Sequence, residues 1–199
     1  DGMGLLTALG IDQAHICGAS LGGMIVQTMA INHPERVLTM TSIMSTTGNP
    51  GLPPASPEAM AALTLERADN VEHAMDRAVA VAKVIGSPGF PQDEARTRAK
   101  AKASFERSFY PNGVARQMAA IVAHGDRRSR LSQLKLPTLV IHGTDDPLVP
   151  VTGGIDTSEN IQGAELMLIE GMGHDLPRQT WNQIVGGISL LTRGEQRAD

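Results

Sequence analysis

Cysteine is nearly absent: Cys17 stands alone among 199 residues. One thiol cannot form an intrachain disulfide framework or a multi-cysteine metal site, and its place in an apolar run reads as a small buried hydrophobe. Basic blocks are short, the longest being Arg127–Arg128–Ser129–Arg130, which reads as a solvated turn. With 17 basic against 21 acidic side chains and a formal charge of −4, a nucleic-acid partner has little electrostatic support. No apolar run reaches the roughly 18–20 residues that cross a bilayer, and no secretory h-region opens the chain. The expectation is a cytoplasmic protein in reducing surroundings with no membrane partner. Repeats and low-complexity stretches are missing. So is an initiator at position one: the chain opens Asp1–Gly2–Met3, as an excised piece would. Aromatic residues make up only 3%, against ten methionines, so any pocket is expected to be pliable and apolar.

What is present suffices for one domain with a sizeable core. Apolar residues at helical spacing from Leu5 to Leu9 stop at Gly10, a helix C-cap signal. The run Ala14–His15–Ile16–Cys17, ending at Gly18, predicts a buried strand. Met24, Ile25, Val26, Met29, Ala30 and Ile31 surround a helix on nearly all sides, which predicts a buried helix ending near His33, before Pro34. A second strand is expected over 37–44. From 46 to about 134 the texture changes: a turn-rich stretch leads into helical patterns at 57–65, 71–85 behind Asn70 as N-cap, 94–109 and 114–124. Strand texture returns at Thr138–Leu139–Val140–Ile141–His142 and Glu165–Leu166–Met167–Leu168–Ile169, and a last helix is expected over 177–191. Strands alternating with helices predict an α/β fold with a parallel sheet covered on both faces.

Chemistry concentrates in Gly18–Ala19–Ser20–Leu21–Gly22–Gly23, a G-x-S-x-G between a predicted strand and a predicted helix. A sharp strand-to-helix turn holds the central residue in a strained conformation, needs small neighbours, and lifts the hydroxyl to a helix N-terminus. Unpaired backbone N–H groups there stabilise developing negative charge. Serine needs a base to take its proton and an acid to orient that base. Of six histidines, His15 and His142 fall within strands as packed or capping side chains, His33 caps a helix end, and His73 and His124 belong to solvated helix faces. His174, in the loop Gly171–Met172–Gly173–His174–Asp175 after a strand, can reach over the sheet. The acid belongs at another strand's carboxyl end, where parallel sheets build their sites. Asp145 and Asp146 both stand there, one to meet the imidazole and the other to cap the turn or meet water.

Together with His33–Pro34–Glu35–Arg36–Val37 and Gly143–Thr144–Asp145–Asp146–Pro147–Leu148–Val149–Pro150, these motifs resemble the α/β-hydrolase superfamily over nearly all of the chain outside the helical insert. The closest flavour is capped esterases and lactonases, the histidine loop being similar to that of anthracycline methylesterase-type members. The resemblance implies a triad of Ser20, Asp146 and His174, because the acid stands three residues after the strand-ending glycine. It also implies an oxyanion donor in the backbone N–H of Leu21. The implied division is core over 1–45, helical cap insert over 46–133 and core over 134–199. Strands that family members carry before the first helix here are absent, so the fold is expected to be N-terminally incomplete, with one oxyanion donor lacking and an exposed sheet edge. Edge pairing or a homo-oligomer is one way to cover it.

The implied activity is cleavage of a small carboxylic ester or lactone, with no metal or organic cofactor. Met44 and Met172, near strand ends, are candidate pocket residues, with core packing the alternative. Phe105, Phe109 and Tyr110 are expected to pack in the core. A haloperoxidase-type or C–C hydrolase would use the same triad. From a different class, a non-catalytic hydrolase remnant or a ligand-binding protein would keep the pocket alone.

Overall fold

A computed structural model describes residues 1–195. After α1 (Gly2–Ala8) come β1 (Ala14–Ala19), α2 (Leu21–Asn32) and β2 (Val37–Ile43), then five helices: α3 (Pro57–Leu63), α4 (Val71–Ile85), α5 (Glu94–Arg107), α6 (Pro111–His124) and α7 (Arg128–Leu131). The chain returns to the sheet with β3 (Thr138–Gly143), α8 (Val151–Glu159), β4 (Glu165–Ile169) and α9 (Trp181–Arg193). All three strand pairings are parallel, in the order β1-β2-β3-β4. No described helix is long and apolar enough to cross a membrane.

Local chemistry sets the helix starts. Ser56, Asn70 and Asp93 each accept the backbone N–H three residues on, at 3.1, 2.9 and 2.9 Å, so α3, α4 and α5 begin with a satisfied donor. Helix α9 stops where Gly194 takes the left-handed conformation at φ 71°. The expected 57–65, 94–109, 114–124 and 177–191 differ from the observed helices mainly at their ends, where helices fray. Helices α7 and α8 escaped the sequence reading altogether.

Two apolar clusters lie on opposite faces of the sheet. Ile16, Val26, Ala30, Val37, Met40, Leu131 and Ile161 unite β1, β2, α2 and α7; Ile43, Leu139, Ile141, Met167, Ile184 and Leu191 unite β2, β3, β4 and α9. Burying such side chains contributes about 1.5–3 kcal/mol each. Strand β1 has a single neighbour among the described residues, and there Cys17 is exposed rather than buried. Helix α2 is not buried all round. Gly23, Val26, Gln27 and Ala30 face the core, whereas Ile25 is 50% exposed along an open groove between α1, α2 and α6.

Three more expectations fail in the inserted segment. Phe109 and Tyr110 are half exposed and line an open groove with Leu65, Phe105, Val114 and Met118. No residue of α6 is buried. His124 is partly buried rather than on a solvated face: its Nε2–H donates at 3.2 Å to Thr28 Oγ1, whose own proton goes to Met24 O, and burial, with Arg127 and Arg130 nearby, pushes its pKa down.

Arg127 is 1% exposed, not part of a solvated turn. Its Nε donates to Gln27 Oε1 at 2.9 Å, Nη2 to Thr46 O at 2.7 Å and Nη1 to Gly125 O at 3.2 Å. Burial pushes its pKa below the usual value. Each of the three guanidinium nitrogens thus has an acceptor, which offsets part of the cost of burying the planar fork. One side chain thereby joins both ends of the inserted segment to α2.

Candidate active site

Ser20 sits between β1 and α2 with φ 56° and ψ −119°, a backbone conformation that non-glycine residues rarely adopt. Its own N–H donates to Ile43 O at 2.8 Å, which fastens the turn to β2. The tightness explains the glycines unevenly. A Cβ on Gly18 would lie 2.0 Å from Gly22 O, and one on Gly23 would lie 2.5 Å from Ser45 Cβ, but nothing lies within 4 Å of one on Gly22. Gly18→Ala is therefore expected to destabilise the fold by at least the 1–3 kcal/mol typical of overpacking, because backbone cannot step aside. Gly22→Ala should be neutral or stabilising, since alanine is the better helix former by about 1 kcal/mol. Thermal unfolding of both variants checks the ranking; equal melting temperatures would mean that the turn relaxes freely.

His174 follows β4 on a loop that crosses the carboxyl ends of the strands. Ser20 Oγ lies 2.9 Å from its Nε2, and its Nδ1 lies 2.7 Å from Asp146 Oδ2. The imidazole is 8% exposed and the Asp146 side chain fully buried. Asp146 Oδ1 accepts the N–H groups of Leu148 and Val149 at 2.9 and 2.8 Å, so one oxygen holds the acid loop and the other faces the imidazole. With Nδ1–H donating to the carboxylate, Nε2 is left as the acceptor for the serine hydroxyl.

The neighbouring aspartate does something else. Asp145 Oδ2 accepts Thr144 Oγ1 at 2.7 Å and the Gly171 N–H at 3.0 Å, which braces the turn where Gly171 has φ 71°. The ends of β3 and β4 interlock here, with a Cβ on Gly143 falling 2.0 Å from Met172 O. Behind Asp146, the fully buried His142 donates from Nε2 to Val149 O at 2.8 Å and stands 3.7 Å from Asp146 Oδ2. Burial holds its pKa low, so it packs the acid loop as a neutral ring.

The other histidines lie elsewhere. His15 meets Thr39 in the sheet, His33 stands near Glu35, and His73 pairs with exposed Asp69. Leu21 opens α2, so its N–H is among the helix N-terminal donors without an intrahelical partner. It also lines an open groove of about 410 Å³ with Met24, Ile25, Met29 and Ile121. Met44 and Met172 are not on such a wall: at 3% and 0% exposure they belong to the core cluster beneath α9. Strand ends are close to the site, but these two thioethers point into the packed layer.

Comparison with known proteins agrees with the fold. The family described as alpha/beta hydrolase fold matches residues 5–177. A rhodomycin D methylesterase of Streptomyces peucetius is 28% identical, over 97% of this chain and 71% of its own length. A 2-hydroxy-6-oxononadienedioate/2-hydroxy-6-oxononatrienedioate hydrolase of Burkholderia vietnamiensis is 30% identical, over 86% and 59%. Among solved structures, Est816, an N-acyl homoserine lactone degrading enzyme, superposes with a TM-score of 0.70 at 30% identity, over 94% of this chain and 71% of that one.

Proposed function

The chain belongs to the α/β-hydrolase family, and from that premise we propose that it is a serine hydrolase cleaving a small carboxylic ester or lactone through an acyl-enzyme. The observation that carries the reading is the unbroken hydrogen-bond chain Ser20–His174–Asp146, with the serine raised at a helix N-terminus.

In this reading, Ser20 Oγ attacks the acyl carbon while its proton passes to His174 Nε2. Asp146 holds the imidazole in the correct tautomer and stabilises the cation that forms. The oxyanion meets the Leu21 N–H, a donor of a kind whose loss costs about 2.7–4 kcal/mol of transition-state stabilisation. Collapse breaks the acyl–oxygen bond, and His174 returns the proton to the leaving alkoxide. Water, deprotonated by the same nitrogen, then cleaves the acyl-enzyme and frees Ser20. For a lactone the leaving alcohol stays tethered to the acyl group. These steps call on no metal or organic cofactor.

Residues 46–133 serve as a helical cap in this proposal, with 1–45 and 134–195 forming the core, the last four residues of the expected 134–199 lying outside the described residues. A second reading, hydrolysis of a carbon–carbon bond, draws on the 30% identity to the Burkholderia hydrolase, and product analysis separates the two.

A fluorophosphonate probe tests the nucleophile directly. The expected result is a single adduct in the intact mass, mapped to the peptide that contains Ser20. A folded sample that takes no adduct, or takes it on another residue, would remove Ser20 from the mechanism.

A further inference from the structure

We propose that Ser87, at the carboxyl end of α4 in the inserted segment, is a positioning residue for His174. The inference rests on the reading of His174 as the general base. Ser87 is 2% exposed, and its hydroxyl is used in both directions. It accepts the N–H of Gly173 at 2.9 Å and donates to the carboxylate of Asp175. One oxygen thus grips both chain neighbours of the base. His174 itself is held between them, its N–H donating to Ile85 O at 2.7 Å. Two residues beyond Ser87, the Gly89 N–H donates to Gly171 O at 2.9 Å.

The approach of the two backbones is too close for side chains. A Cβ on Gly173 would fall 2.5 Å from Gly86 O, and one on Gly89 would fall 2.7 Å from Gly171 Cα. The loop that carries the base is therefore seated on the end of α4 as much as on β4. Its imidazole must keep two short bonds at once, 2.9 Å to Ser20 and 2.7 Å to Asp146. A displacement of about 1 Å can cost on the order of 10²-fold in rate. Removing the Ser87 hydroxyl leaves the Gly173 N–H and the Asp175 carboxylate without this partner, and the loop loses the clamp on either side of the base.

The test is steady-state hydrolysis of p-nitrophenyl acetate by the full chain and its variants, with unfolding temperatures measured alongside. Ser87→Ala is expected to lower kcat by about 10–10²-fold with KM within about twofold. Ser87→Thr, which keeps the hydroxyl, should recover most of that loss. Should Ser87→Ala fail to fold at the assay temperature, Asp175→Ala decides the matter by the same kcat and KM criteria, with Asp175→Asn as the variant that keeps an acceptor. A folded variant with parental kcat, or a loss that Ser87→Thr does not recover although it folds, overturns the proposal. Ser20→Ala belongs in the same series: if it is inactive while Ser87→Ala matches the parent, only the positioning role falls. If Ser20→Ala turns over like the parent, the hydrolase mechanism falls and the role of Ser87 with it.

Discussion

Ser20→Ala is expected to lower ester turnover by about 10⁶-fold, to the level that residual binding and the proposed Leu21 oxyanion donor provide. The size follows from what the substitution removes. Without Oγ no acyl-enzyme forms, and His174 and Asp146 have no nucleophile to serve, so the loss approaches that of the whole triad. The fold should survive. Ser20 anchors its turn through its backbone N–H to Ile43 O, and that bond is independent of the side chain. Relief of strain at φ 56° is not part of the expectation, because alanine bears the same Cβ. Steady-state turnover with matched circular dichroism checks the point. A folded Ser20→Ala protein with parental turnover would place the chemistry elsewhere.

Asp146→Asn should lower kcat by about 10⁴-fold, and Asp145→Asn by less than about tenfold. The adjacent residues invite confusion, yet their bonds separate them. An amide at 146 can present its NH₂ to His174 Nδ1, which would then accept, and Nε2 would carry the proton and could no longer take one from Ser20. The geometry would persist and the tautomer would be wrong. At 145 the carboxylate accepts Thr144 Oγ1 and the Gly171 N–H, and an asparagine oxygen can accept both. What remains is a modest loosening of the turn. Side-by-side kcat values decide, and the reverse ranking would transfer the orienting role to Asp145.

How much of this was readable in the chain differs by residue. The turn around Ser20 was legible because a strand-to-helix elbow imposes local steric demands, and Gly18 and Gly23 answer them. His174 could be singled out because its loop follows a recognisable strand, whereas the end of β3 offered Asp145 and Asp146 alike and only the family resemblance chose Asp146; the structure sets Asp146 against His174 and His174 against Ser20. Leu21 carried no side-chain signal and was placed only through the family resemblance. Ser87 had no signal either: it lies after Gly86 and before Pro88, where a serine reads as turn chemistry, and its partners Gly173 and Asp175 lie 86 and 88 residues away.

The misreadings share a cause, which is that composition reports a residue's cost of burial and not its compensation. Arg127 was assigned to solvent because an arginine is rarely buried unpaired; a side-chain amide oxygen and two carbonyls supply the acceptors instead of a carboxylate. Helix α8 was missed because Gly153 and Gly154 argue against a helix. They are there for close approach: a Cβ on Gly154 would reach His142 Nδ1 at 2.5 Å, so the helix can lie directly on the buried ring behind the acid loop. Phe109 and Tyr110 erred in the opposite direction, as aromatic residues that line an open groove rather than a core.

Ser20 and His174 are 154 residues apart, and Asp146 lies between them, 28 residues before His174. On a ribosome adding about 5–20 residues per second, Ser20 emerges roughly 8–30 s before His174. During that interval the elbow can be folded, because its contacts are to β2 and to its own helix, but its hydroxyl is no more reactive than any other alcohol. In the proposed mechanism, acyl transfer requires that β4 and the loop behind it have joined the sheet. A nascent chain of this topology is thus harmless to surrounding esters until His174 has been added and its loop has folded.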